Sequence, residues 1–281
     1  MTLSFFSLVT SPAEIISTTE TILGCATCFF YKQDERYIYL VTNWHVVTGR
    51  NPMAPNISNS GAIPTHLRLR LHKNVGDGKI SLSQKLLCLF NINDQDGNSP
   101  KWLEHPKHRY NIDVVVLRIE KESSFMSNVF FRCISEYSHF EERYAESAMD
   151  DIIVIGYPWG LDGGDRVLPL FKRGSIASEP TIDYNGLPQF LIDCKTTKGM
   201  SGAPVICLHK GIWSPTEKES DAVVGTVEKF SGIYSGRWHA KEFGEHTKAT
   251  DEITEIGIVW KKAVIEEIIQ GGVFGTEICK L

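Results

Sequence analysis

The stretch Gly199-Met200-Ser201-Gly202-Ala203-Pro204-Val205 places a serine in a glycine-flanked turn that runs directly into the apolar strand candidate Ala203–Leu208. A serine hydroxyl is a poor nucleophile at neutral pH. It becomes a useful one beside a base that a carboxylate orients. Working outward from Ser201, one candidate of each kind stands in a suitable setting. His45 lies in Leu40-Val41-Thr42-Asn43-Trp44-His45-Val46-Val47, just past a predicted strand, and Asp113 opens the apolar run Asp113-Val114-Val115-Val116-Leu117. Singly these are ordinary features, because turns favour Asp and Gly for structural reasons alone. In the order His, Asp, Ser they point to acyl-transfer chemistry.

The other home for an active serine is the elbow of an α/β-hydrolase. That elbow wants Gly-x-Ser-x-Gly between a strand and a helix, with the histidine last in the chain. Here Ala203, Pro204 and a strand follow Ser201, and His45 comes first, so the α/β frame is disfavoured. The rest of the chain has a β texture. Gly24–Tyr31 and Arg36–Thr42, joined by a polar tetrapeptide, read as a hairpin. Leu67–Leu71, Leu86–Phe90 and Asp113–Ile119 are further strand candidates in the first half. Ile152–Tyr157, Phe171–Ser178, Gln189–Cys194, Ala203–Leu208 and Ala222–Val227 are those in the second. Many short strands separated by Gly, Pro and Asp turns predict an all-β sandwich or barrel.

The polar stretches 51–64, 94–106, 210–221 and 235–251 read as surface loops. Ser11-Pro12-Ala13-Glu14 has the form of a capping box with proline at the first helical position, which predicts a short N-terminal helix. Trp260, Val264, Ile265, Ile268 and Ile269 recur at helical spacing before Gly271-Gly272, which predicts a C-terminal helix. The expected division is an N-terminal helical segment over 1–23, a β unit over 24–135, a second over 150–259, and a helix with a tail over 260–281. The charged, strand-poor stretch 135–150 separates the two β units.

Composition narrows the function classes. The 281 residues carry a net charge of −5 and no basic run, so no nucleic-acid partner is expected. The apolar stretches are strand-length, well short of the ~20 residues a bilayer-spanning helix needs, so no membrane partner is expected either. Seven cysteines, Cys25, Cys28, Cys88, Cys133, Cys194, Cys207 and Cys279, form no even, regular framework. They predict free thiols in a reducing compartment, and the N-terminal stretch lacks the basic and apolar regions of a secretory leader. A cytoplasmic protein is the expectation. Cys25-x-x-Cys28 lies in a strand candidate, where positions three apart face opposite sides, so no metal site is expected and no cofactor.

Thr42-Asn43-Trp44-His45-Val46-Val47, Asn111-Ile112-Asp113-Val114-Val115-Val116-Leu117 and Gly199-Met200-Ser201-Gly202-Ala203-Pro204-Val205 resemble the histidine, aspartate and serine motifs of the trypsin-like peptidases. The texture is similar to the bacterial Deg/HtrA-type protease domain, without a PDZ module after the C-terminal helix. The resemblance spans roughly 24 to 269. It implies a chymotrypsin fold, with two antiparallel β-barrels of the six-stranded type, and a serine endopeptidase cleaving protein or peptide substrates. It implies His45 as general base, Asp113 as its orienting partner, Ser201 as nucleophile, and the Gly199 and Ser201 N–H groups as an oxyanion hole. It also places Lys195 and Thr196 at the primary substrate pocket, where Lys195 would favour an acidic side chain, and Glu228-Lys229-Phe230 along the substrate backbone. The alternative is a catalytically silent module, or one that an activating partner or ligand switches on. Met200 stands where secreted digestive members carry the aspartate that pairs with a new N-terminus after zymogen cleavage, so that switch is not expected here.

Overall fold

The computed structural model describes residues 3–58, 62–74, 80–91, 99–164, 166–216, 218–237 and 255–276. The first half holds β1 (Thr10–Ser17), β2 (Ile22–Gln33), β3 (Tyr37–Thr42), the short pair β4 (Arg50–Asn51) and β5 (Ala54–Ser58), then β6 (Pro64–Asn74), β7 (Ile80–Cys88), β8 (Trp102–Glu104), β9 (Val115–Glu120) and β10 (Val129–Phe130). A one-turn helix, α1 (Trp44–Thr48), follows β3. The second half holds β11 (Asp151–Gly156), β12 (Leu170–Ile176), β13 (Gln189–Asp193), β14 (Pro204–Trp213), β15 (Val223–Arg237) and β16 (Ile256–Lys261). Helix α2 (Lys262–Gly271) and β17 (Val273–Phe274) complete it.

The second half closes as a six-stranded barrel in the order β11-β12-β13-β16-β15-β14. Apart from β4 and β5, the first-half strands, joined at one edge by β17 from the C-terminus, form a nine-stranded antiparallel sheet ordered β10-β6-β1-β2-β3-β9-β8-β17, with β7 paired to β6. Each half has its own apolar core. One is built around Phe30, Leu40, Trp44, Leu67 and Trp102, the other around Ile152, Phe190, Ile192, Val205 and Val259. A third cluster joins the halves: Phe29, Val41 and Val116 from the first meet Ile206, Phe230 and Ile233 from the second, and α2 adds Val264, Ile265 and Ile268. This is a mostly-β, chymotrypsin-like arrangement, with the two halves meeting across that third cluster.

Several expectations change; within 51–64, for one, Ala54–Ser58 is a strand paired with β4. The segment expected as an N-terminal helix is β1, a strand paired with β2 on one side and β6 on the other. A short helix is marginal by itself, whereas β1 gains two ladders and buries Ala13 and Ile16. Pro12 tolerates this because the β6 ladder begins only at Ala13, so its missing N–H costs nothing on that side. The stretch 210–221 is less of a loop than its polarity suggests, since β14 and β15 extend their ladder to the pair Trp213–Val223. Within 94–106, Trp102–Glu104 is a buried strand. Most of 235–251 lies outside the described residues. At the C-terminus Trp260 belongs to β16, and α2 stops at Gly272 with a left-handed φ of 60°.

Candidate functional site

The end of β3 sets the first component. Asn43 precedes α1 in extended conformation, and the helix closes after one turn at Gly49. That turn lifts His45 out of the sheet beside Asp113, which sits just before β9, the neighbour of β3. Three hydrogen bonds tie the two segments. Asn43 Nδ2 donates to the Asp113 carbonyl at 2.7 Å, the His45 N–H to Asp113 Oδ1 at 2.9 Å, and His45 Nδ1 stands 2.7 Å from Asp113 Oδ2. A fourth arrives from the other half: Ser235 Oγ donates to Asp113 Oδ2 at 2.5 Å. A carboxylate only accepts, so Nδ1 carries the proton and Nε2 is left with its lone pair. Burial disfavours the imidazolium, but the charge of Asp113 and its hydrogen bond outweigh it, so His45 titrates above its ordinary value.

The serine turn is held from both halves. The Thr27 N–H donates to the Ser201 carbonyl at 2.8 Å, and Thr27 Oγ1 to the Gly199 carbonyl at 2.8 Å. The Gly202 N–H donates to the Tyr234 carbonyl at 2.9 Å. Met200 is fully buried in the second core, which fixes the backbone on either side of it. Gly199 and Gly202 adopt φ of +92° and +87°. A Cβ on residue 199 would lie 2.3 Å from the Tyr157 carbonyl oxygen, and one on residue 202 would lie 2.0 Å from that of Thr27. Only glycine fits at either position. The Lys198 carbonyl accepts from the Trp159 N–H at 2.6 Å. In a trans peptide the N–H points opposite to the C=O, so the Gly199 N–H is turned away from Trp159.

His45 and Ser201 share one cleft of about 590 Å³, with Gly199, Lys198, Cys25, Trp159 and Ile22 among its walls. No hydrogen bond joins the His45 and Ser201 side chains among the described residues; bonds of this kind commonly tighten only when substrate is bound. Burial, then the nearby Glu14, push the Cys25 thiol up, so it stands in the cleft as a neutral group. Cys28, three residues on, lies in the first core, so the two thiols diverge along β2. Among the described residues no cluster of three or more His, Cys, Asp or Glu is arranged to hold a metal.

The model for the trypsin-like peptidase domain matches residues 26–211. The chain belongs to that family. It is a trypsin-like serine protease, a peptide hydrolase. No curated protein sequence matches it. Similar solved structures include AL20, a thermostable serine protease from an extremophilic microorganism, at 9% identity over 95% of this chain and 96% of that one, with a TM-score of 0.48. The Rv3671c protease from M. tuberculosis is similar in its active form (13% identity, 96% and 83% covered, TM-score 0.44) and in an inactive form (14%, 95% and 89%, 0.41).

In this trypsin-like peptidase the residues expected to set specificity do not line that cleft. Lys195 is solvent-facing, its side chain 73% exposed and 3.6 Å from Glu255, and it does not line the cleft. Thr196 is fully buried, with its Oγ1 2.5 Å from the Tyr234 hydroxyl. Glu228, Lys229 and Phe230 lie mid-ladder, opposite Leu208, Cys207 and Ile206 of β14. The Glu228 carbonyl accepts from Glu141, Lys229 Nζ donates to the Tyr144 carbonyl, and Phe230 packs in the inter-half core. One edge of the segment is taken by β14, and on the other the Glu228 carbonyl is taken by Glu141. The strand is 15 residues long, and it meets the site only at its far end, where Ser235 reaches Asp113. Three contacting residues carry no sequence signal of their own: Thr27, Trp159 and Ser235 reach Gly199, Lys198 and Asp113 only because distant chain segments fold together.

Proposed function

We propose that the chain is a serine endopeptidase of protein or peptide substrates, with Ser201 as nucleophile, His45 as general base and acid, and Asp113 as the group that orients His45. The observation that carries this reading is the buried carboxylate of Asp113 holding both the backbone and the ring of His45, with Nε2 left toward the cleft that Ser201 lines. In the proposed cycle Ser201 Oγ attacks the scissile carbonyl carbon as its proton passes to His45 Nε2. The oxyanion is met by the N–H groups of Gly199 and Ser201, the former aimed by the Trp159 contact to the Lys198 carbonyl. Collapse expels the amine, which takes the proton from His45, and water repeats the sequence on the acyl-enzyme. Each oxyanion donor is worth on the order of 10²–10³ in kcat.

The acyl side of the substrate pairs, in this reading, with the end of β15 rather than with 228–230. Pairing of β15 with β14 ends at Ile233, while β16 still holds Gly236 and Arg237. That leaves a strand edge beside the site for an added strand. We also propose the division at 135–150 into two β units, with catalytic groups from each. A reducing, cytoplasmic setting fits the six described cysteines, all free thiols. A fluorophosphonate probe tests the reading: it labels the peptide containing Ser201 with near-unit stoichiometry, and the same preparation cleaves an unfolded protein. A folded protein that resists labelling overturns it and favours the silent or partner-activated alternative.

A further inference from the structure

Resting on the catalytic reading above, we propose that the cleft beside Ser201 receives the leaving-group side of the substrate and selects a bulky apolar residue there, with Trp159 and Ile22 as the selecting side chains. His45 must hand its proton to the departing amine, so the departing segment passes His45. The cleft is lined by His45 and Ser201 together with Glu14, Ile22, Gly24 and Trp159. None of Lys195, Thr196, Ser235, Gly236 and Arg237 lines it, so it lies on the side away from the β15 edge.

The backbone there is ready to pair with an extended chain. Over Ile22–Cys25, β2 is paired with β1 on one edge, while its pairing with β3 begins only at the Phe29–Val41 pair. The Thr27 N–H leaves this second edge toward the Ser201 carbonyl. Backbone groups two residues apart point the same way along a strand, so the N–H and C=O of Cys25 face the same side, in the wall of the cleft. An added strand on that edge would carry the leaving segment out between β2 and the turn at Pro158–Gly160.

The chemistry of the walls sets what rides on that strand. Trp159 is 61% exposed and Ile22 is 54% exposed, both large apolar groups on a cleft wall. The arginine charges around them are matched internally: Arg68 lies 3.0 Å from Glu14 and Arg70 3.2 Å from Asp162. Lys198 Nζ stands 5.9 Å from the Trp159 ring centroid, so one cation shares that wall and holds the indole by a cation–π contact. An aromatic or large aliphatic side chain placed there removes indole surface from water, and aromatic contacts of this kind contribute beyond area alone.

The test is a quenched-fluorescent peptide library with a constant acyl side and varied residues in the first two leaving-side positions. Wild type is expected to favour Phe, Leu or Trp over Gly by ~10-fold or more in kcat/KM, the scale of apolar pocket discrimination. Trp159→Ala and, independently, Ile22→Ser are expected to shrink that ratio at least ~3-fold. Ile22→Ser stands clear of the Lys198 carbonyl contact and keeps the test open if Trp159→Ala fails to fold. A wild-type ratio near one, or a ratio unchanged in the folded variants, overturns the proposal. If Ser201 labels with a fluorophosphonate in that same preparation, the catalytic reading stands while this one falls. If Ser201 does not label, both fall.

Discussion

Two histidine–aspartate pairs stand among the described residues with nearly the same local chemistry. In one, His45 Nδ1 lies 2.7 Å from Asp113; in the other, His209 Nδ1 lies 3.0 Å from Asp150. The aspartate side chains are equally buried, and the imidazoles are 31% and 25% exposed. What differs is the far nitrogen. His209 Nε2 is 3.2 Å from the Ile212 carbonyl oxygen, and Asp150 is further held by the Tyr144 hydroxyl and the Ser147 N–H. His45 Nε2 has no hydrogen-bond partner among the described residues, and its ring lines a cleft with a serine in it. A buried carboxylate beside an imidazole is thus a common structural device. It becomes a candidate general base when the second nitrogen is left to meet a substrate.

The largest expected effect separates the pairs outright. His45→Ala should lower kcat by about 10⁴–10⁶, the range for removing the base of a serine triad. His209→Ala should leave turnover of the folded protein at the wild-type level and lower its stability by about 1 kcal/mol, because Asp150 loses one of several partners. Steady-state kinetics and a thermal melt on the same samples read both. Equal loss of activity in the two variants would erase the distinction. Next, Asp113→Asn should cost about 10⁴ in kcat by misorienting the ring, whereas Asp150→Asn should move only the melting midpoint. A smaller effect is expected from Thr27→Val, which removes the hydroxyl bond to the Gly199 carbonyl. Its loss in kcat should stay below the ~10² of deleting an oxyanion donor, with KM little changed.

The finest effect is in pH dependence. Catalysis needs neutral His45, and the Asp113 charge raises its pKa above the ordinary value. The acid limb of kcat/KM should therefore fall at a pH above ~6.5, the unperturbed histidine value. Ser235→Ala removes the hydroxyl donor from Asp113 and leaves more negative charge facing the ring, so that limb should move further up. A limb at or below the unperturbed value would contradict the coupling.

The motifs around His45, Asp113 and Ser201 were legible because each joins a rigid local turn to an apolar strand, and both features are written in neighbouring residues. The barrel of the second half was legible for the same reason, from Ile152–Tyr157 and Gln189–Cys194. The β1 segment was not, because Ser11-Pro12-Ala13-Glu14 carries a local helix signal that two long-range ladders override. The proposed substrate edge of β15 lies near Gly236 and Arg237 rather than at 228–230, and nothing in a 15-residue strand marks where it loses its neighbour. Lys195 shows a related limit: its type suggested a pocket cation, but its side chain is directed by Glu255, sixty residues away.

The most direct measurement is the second-order rate of fluorophosphonate labelling at Ser201 as a function of pH, in wild type and in His45→Ala. The account predicts a rate that rises along a single titration centred above pH ~6.5 and that nearly vanishes in His45→Ala. A rate independent of pH, or one that His45→Ala leaves unchanged, would contradict it.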